Sequence, residues 1–232
     1  MSAWTDAAVL GARLALRRLR ATAVIGIAAA AVGFGTIAAY AERKSGIGDA
    51  AGRALQGPAF GLAVPLGTFA LVSVALARTR LDDAVATVAL LGAHRRPAVL
   101  GSLAATCVVG ALLALCTSVV VTLVAKGAMN ALFLVEAVSA GCIAALTAVS
   151  YVFFYGAAAS YGKRGGGRYI WLLTDLVLGP LTGVTAVVFP RAHALNLLGA
   201  DPVLNLSQPA STVALFVLAA AFAALAALRT RP

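Results

Sequence analysis

Six stretches of this sequence run for about twenty residues or more almost without a charged side chain: residues 22–41, 58–77, 98–125, 131–157, 169–189 and 210–228. A membrane-spanning helix needs about 20 consecutive apolar residues. In lipid every backbone polar group must be satisfied inside the spanning element, which leaves helices as the solution for runs this long. The stretches are apolar all round rather than alternating, so they do not read as strands. The expectation is an all-α polytopic membrane protein with six transmembrane helices in a single transmembrane domain over residues 1–232. Composition agrees, with 62% hydrophobic and 11% charged residues where soluble domains hold about 45–50% and 25%. Six spans use most of the 232 residues, so chemistry that needs a large soluble fold is expected on another chain.

The net charge of +10, from 18 Lys and Arg against 8 Asp and Glu, would suggest a nucleic-acid partner in a soluble protein. In a membrane protein the position of the cations matters more, because cytoplasmic segments collect Lys and Arg. With the N-terminus inside, the cytoplasmic segments hold Arg13, Arg17, Arg18, Arg20, Arg78, Arg80, Arg95, Arg96, Lys163, Arg164, Arg168, Arg229 and Arg231. The outer segments hold Arg43, Lys44, Arg53, Lys126 and Arg191. This asymmetry predicts both termini in the cytoplasm and removes the reason to expect nucleic acid. The preference for Arg over Lys, with abundant Ala, points to a GC-rich bacterial genome and hence to the bacterial inner membrane. A signal peptide cleaved after Ala39-Tyr40-Ala41 is the rival reading of the start, but its apolar run is longer than a usual signal core.

Residues 1–21 read as an interfacial helix. At 100° per residue Asp6, Arg13, Arg17 and Arg20 share a stripe, while Trp4, Ala8, Ala12, Ala15 and Leu19 face away from it. The cytoplasmic loop over residues 78–97 contains a second helical pattern, with Leu81, Ala84, Val85, Val88 and Leu91 at steps of three and four. Asp82 and Asp83 stand in its first turn, where the helix dipole favours anions, and Gly92 is a plausible stop. The outer segment over residues 190–209 carries two apolar pieces around Gly199 and Asp201-Pro202, which predicts two short interfacial or re-entrant helices.

No nucleotide-binding GxxxxGK[ST], zinc-protease or serine-hydrolase motif is present, so the chain is not expected to be an enzyme. Cys107, Cys116 and Cys142 read as small packing residues, and His94 and His193 lack a second ligand at metal-binding spacing. No metal site is expected. Two carboxylates fall inside spans, Glu136 and Asp175, and such residues are functional candidates because burying their charge in a bilayer costs about 2.5 kcal/mol or more. Asp175 is also within reach of Lys163, Arg164 or Arg168 for a structural ion pair. Gly57 with Gly61 and Gly179 with Gly183 have the spacing of close helix contacts, and Pro65 and Pro180 mark expected kinks.

The arrangement resembles the permease subunits of type-2 ATP-binding-cassette (ABC) exporters: six spans, both ends inside, a basic interfacial helix, a cytoplasmic coupling helix between spans two and three, and short re-entrant helices between spans five and six. The phrases Gly57-Pro58-Ala59-Phe60 and Leu90-Leu91-Gly92-Ala93-His94-Arg95-Arg96 are also similar to that family. The resemblance implies that ATP and Mg are bound by a separate ATPase subunit, with no cofactor on this chain, and that a second permease copy or a homologous permease completes the complex. It implies contact with the ATPase through Arg78, Arg80, Leu81, Asp82, Asp83, Val85, Val88, Leu91, His94, Arg95 and Arg96, with Leu81, Val85, Val88 and Leu91 as the apolar docking face. Trp4, Arg13, Arg17 and Arg20 would meet membrane lipids. The family's acidic-basic-Gly-Thr phrase is replaced here by Arg78-Thr79-Arg80-Leu81-Asp82-Asp83. Two other classes stay open: an ion-coupled secondary transporter or channel using Glu136 and Asp175, and a non-transporting membrane scaffold subunit.

Overall fold

The computed structural model describes residues 3–46 and 48–230. Ser2 at the start of the expected interfacial helix and the cation Arg231 lie outside the described residues. Among the described residues the regular structure is helical. Five helical stretches among the described residues are long and apolar enough to cross a membrane: Ala21–Ser45 (α2), Ala50–Ala75, Arg95–Lys126 (α7), Phe133–Ala158 (α8) and Gln208–Arg229 (α11). The shortest has 22 residues, or about 33 Å at 1.5 Å per residue, against a hydrocarbon core of about 30 Å. The architecture is compatible with a multi-pass membrane protein.

The stretch expected as a fifth span, residues 169–189, is not one helix. Gly167–Leu178 (α9) has 12 residues and extends only about 18 Å. It stops at Gly179-Pro180: Gly179 keeps helical backbone, with φ −60° and ψ −33°, but Pro180 has no N–H to continue the ladder. A 3₁₀ turn over Val184–Val188 follows, and Pro190 then opens Pro190–Leu197 (α10) at its first turn. The second stretch is divided more gently. Ala50–Ala54 (α3) leads into a π-helical segment, Leu55–Ala63, with Pro58 inside it. Val64–Ala75 (α4) resumes α geometry with Pro65 in its first turn. The change of register therefore centres on Pro58, and the missing N–H of Pro65 falls at the junction.

Ala3–Arg18 (α1) does more than lie on a surface. Its buried stripe is Ala7, Gly11 and Ala15, continued by Leu19, whereas Trp4 is 53% exposed. This corrects the expected apolar face by a rotation, because α1 is seated against α7. A Cβ on Gly11 would stand 1.9 Å from the Ala98 carbonyl oxygen, and one on Gly101 would stand 1.9 Å from that of Ala8. These two glycines make the close helix contact that was expected at 57/61 and 179/183. Gly57 and Gly183 have nothing near them, and Gly61 and Gly179 instead make room for the Arg191 side chain.

The core centres on α8. Tyr151, Val152, Phe154 and Tyr155 are buried there, and Phe154 packs against Trp171, Phe189 and Phe222. Ser150 donates to the Leu215 carbonyl of α11 at 2.7 Å. Thr68, Thr106, Thr117, Thr122 and Thr147 each donate to the carbonyl four residues earlier, which satisfies their hydroxyls inside an apolar bundle. Ile25, Ile37, Leu112, Leu134, Val213 and Phe216 point outward, as expected of side chains that meet hydrocarbon.

Candidate functional site

One end of the bundle is basic. Arg96 at the start of α7 donates to the Thr230 carbonyl at 3.4 Å, and Arg18 donates to the Ala75 carbonyl at 3.1 Å. The ends of α1, α4, α7 and α11 thus meet there, and the loops over residues 78–94 and 159–166 cover them. Leu81–Ala84 (α5) and Ala86–Leu90 (α6) are two short helices in the first of these loops. Val85, between them, has φ −109° and ψ 9°, so the expected continuous coupling helix is broken at that residue.

The break changes which side chains face outward. Leu81, Val85 and Val88 are at most 5% exposed, packed into the chain's own core rather than forming an outer docking face. Leu90 and Leu91 are 86% and 78% exposed. Leu91 leaves the face of Val88 because the helix ends at Leu90 and Gly92 turns the chain with φ 81°. Leu90 was missed because the periodic pattern assigned it to the polar side of an unbroken helix. The available signal was its place just before a glycine stop. Asp83, Arg78, Arg80, His94 and Arg96 are exposed in the same loop and at its ends, while Asp82 and Arg95 are half-buried. Trp4 lies beside the same cluster, lining with His94, Arg95, Arg96 and Pro97 a cavity of about 310 Å³. Arg13, Arg17 and Arg20 stand exposed along α1 and at the start of α2.

The two basic loops are joined through main-chain oxygens. The Leu81 N–H donates to the Ala159 carbonyl at 3.3 Å, and Arg80 donates to the Ser160 carbonyl at 3.2 Å. Arg168, 1% exposed, donates to the Thr79 and Arg164 carbonyls at 3.5 and 3.3 Å. Gly165 has φ +72°, and a Cβ there would stand 2.6 Å from the Thr79 oxygen. Both the backbone conformation and the approach require glycine.

The two intramembrane carboxylates differ. Glu136, in the first turn of α8, forms an ion pair with Lys126 at the end of α7, and both are partly exposed. It closes the helical hairpin at the end opposite the basic loops. Asp175 is 0% exposed and does not meet Lys163, Arg164 or Arg168, which stay in and beside the basic loop. It accepts instead from the Tyr151 hydroxyl at 2.7 Å, because its place on α9 faces α8. Its second oxygen and the Tyr155 hydroxyl have no partner among the described residues, although the Tyr151 and Tyr155 rings stack at 5.4 Å. One residue past Asp175, the Arg191 guanidinium donates to the Leu176 carbonyl at 3.2 Å and so caps the interrupted helix. Nothing in the sequence linked residue 191 to residue 176.

Beyond the break, His193 is fully buried. Its Nε2 lies 2.8 Å from the Val187 carbonyl and its Nδ1 lies 3.4 Å from the Ser211 hydroxyl. Asn196 donates to the same hydroxyl at 2.7 Å and to the Leu206 carbonyl at 2.9 Å. Burial pushes the His193 imidazole below its ordinary range, with the Val187 bond opposing. The network ties α10 to the first turns of α11. Cys107 is buried, whereas Cys116 and Cys142 are exposed on helix surfaces. Among the described residues no three His, Cys, Asp or Glu side chains converge as a metal site would need. No protein-family model, curated protein or solved structure matches this chain.

Proposed function

We propose that this chain is the permease subunit of a bacterial ABC exporter, working with a separate ATPase and a second permease copy. The observation that carries the reading is the exposed Leu90-Leu91 knob at the basic end, in a loop that Arg78 and Arg80 precede and Arg95 and Arg96 follow in the sequence. Two adjacent leucines exposed to this degree in a loop flanked by arginines suit an apolar pocket on a soluble partner. In this reading the basic end is cytoplasmic, both termini lie there, and the interrupted stretch over residues 167–189 completes a sixth crossing. Asp82 and Asp83 meet basic groups of the ATPase, and Arg95 and Arg96 meet lipid phosphate. ATP-driven closure of the ATPase pulls on the knob, and the joined loops carry that displacement into α9.

The test is purification in mild detergent. The native chain is expected to bring with it a chain bearing GxxxxGK[ST], and Leu90→Asp with Leu91→Asp is expected to lose that chain while remaining in the membrane. If no such chain accompanies the native protein, the reading fails. A second reading, ion-coupled transport, is favoured by one observation: the unpartnered oxygen of buried Asp175 beside an interrupted crossing. Flux through vesicles holding the purified chain without nucleotide, abolished by Asp175→Asn, would select it.

A further inference from the structure

A groove of about 370 Å³ runs between α2 and the stretch that ends in α4, lined by Gly26, Ile27, Ala31 and Phe34 on one wall and by Leu62 and Leu66 on the other. Its lining residues are all apolar, and eight residues on α2 separate its ends, about 12 Å. The α2 wall belongs to the least covered of the five long helices, with 11% of its apolar window buried. The groove is therefore a slot in a surface at hydrocarbon depth.

Its basic-end mouth is charged. Leu19, Val24, Ile27, Leu71 and Ala75 pack together there, so the segment linking α1 to α2 stands directly above the slot. Arg18 in that segment reaches across to the Ala75 carbonyl at the end of α4. Arg20 occupies the N-cap position of α2 seven, eleven and fourteen residues before Ile27, Ala31 and Phe34, or about two, three and four turns, which sets it over the groove face. Its side chain is exposed and makes no hydrogen bond or ion pair among the described residues. The nearest carboxylate along α1, Asp6, is 12 residues before Arg18, about 18 Å along the helix.

We propose that this groove seats one acyl chain of an anionic phospholipid, whose phosphate is held by Arg20 and Arg18. The depths match: Arg20 precedes Gly26 by about 9 Å, and the polar layer outside the hydrocarbon is about 5–8 Å thick on each side. A phosphate at Arg20 thus starts its hydrocarbon near Val24, two residues before the slot begins at Gly26. No ion pair joins Arg18 or Arg20 to a carboxylate among the described residues, and two guanidinium groups so placed favour a lipid with net negative charge over one that brings its own ammonium group. A second copy of this chain in the slot would leave Arg20 facing apolar helix or another Arg20.

Native mass spectrometry of the full chain, loaded with phosphatidylglycerol or phosphatidylethanolamine of identical acyl chains, tests the assignment. One phosphatidylglycerol per chain is expected to survive release from detergent, with phosphatidylethanolamine lost. Arg20→Gln is expected to lower the bound fraction about fivefold, as for loss of one interfacial cation. Gly26→Leu keeps both arginines and fills the slot, and a Cβ there meets nothing within 4 Å, so it is expected to fold and to lose the lipid. Leu66→Trp is a second filling variant. Equal retention of the two lipids, retention in both filling variants, or displacement by inorganic phosphate would each overturn the proposal. So would a lipid-free dimer cross-linked through Ala30→Cys.

Discussion

Helix α8 and the stretch over residues 167–189 read alike as sequence and differ as structure. Each is an apolar run with one carboxylate. Yet α8 is continuous for 26 residues, whereas the other is a 12-residue helix, a bend and a 3₁₀ turn. In α8 the backbone satisfies itself, and its small residues serve packing: Gly156 lies where a Cβ would stand 2.8 Å from Leu103. In the other stretch the lost helical bonds are replaced from outside, by Arg191 on the Leu176 carbonyl and by the Leu204 N–H on the Thr182 carbonyl. Hydropathy decides that a segment belongs in hydrocarbon, and backbone chemistry at one or two residues decides whether it stays helical.

The sharpest way to break this contrast is Arg191→Leu. It strands the Leu176 carbonyl at the interrupted end and should cost about 3 kcal/mol, the upper range for a buried polar group left without its partner. Amide exchange over residues 172–179 should accelerate while exchange in the middle of α8 does not change. If both segments loosen equally, Arg191 is not a local cap. A smaller effect, about 2 kcal/mol, is expected from Gly156→Leu, because the added side chain overpacks the contact with Leu103. Thermal unfolding in detergent should register this loss with no change in exchange at residue 178. The smallest effect belongs to Pro180→Ala, about 0.5 kcal/mol through the freedom it gives the unfolded chain. Circular dichroism should show no gain in helix, since Arg191 still fixes the end of α9. A clear gain would show that Pro180 alone interrupts the crossing.

The long apolar runs, their approximate ends and the grouping of cations were legible because each depends on local composition. The interruption at Gly179-Pro180 was not, since both residues are common in membrane helices and only the cap from Arg191 makes a break stable here. The glycine pair that brings helices together, Gly11 and Gly101, lies on two elements and has no spacing to detect. The outward knob was half visible. Leu91 was expected outside and Leu90 was not, because the phase slip at Val85 depends on burying Leu81, Val85 and Val88 in a core the sequence does not display. Asp175 was marked for its burial, but its partner Tyr151 is 24 positions away and was not singled out.

The link between the two basic loops has a consequence for sequence variation. Its acceptors are carbonyl oxygens of Thr79, Ala159, Ser160 and Arg164, and every residue type carries that atom. The side chains of Thr79, Ser160 and Arg164 are thus free to change without loss of an acceptor, while Arg80, Arg168, Gly165 and the fully buried Ala159 are not. A saturation library across both loops should tolerate broad replacement at the first set and almost none at Gly165, so that the surface drifts in chemistry while the geometry of the joint is inherited.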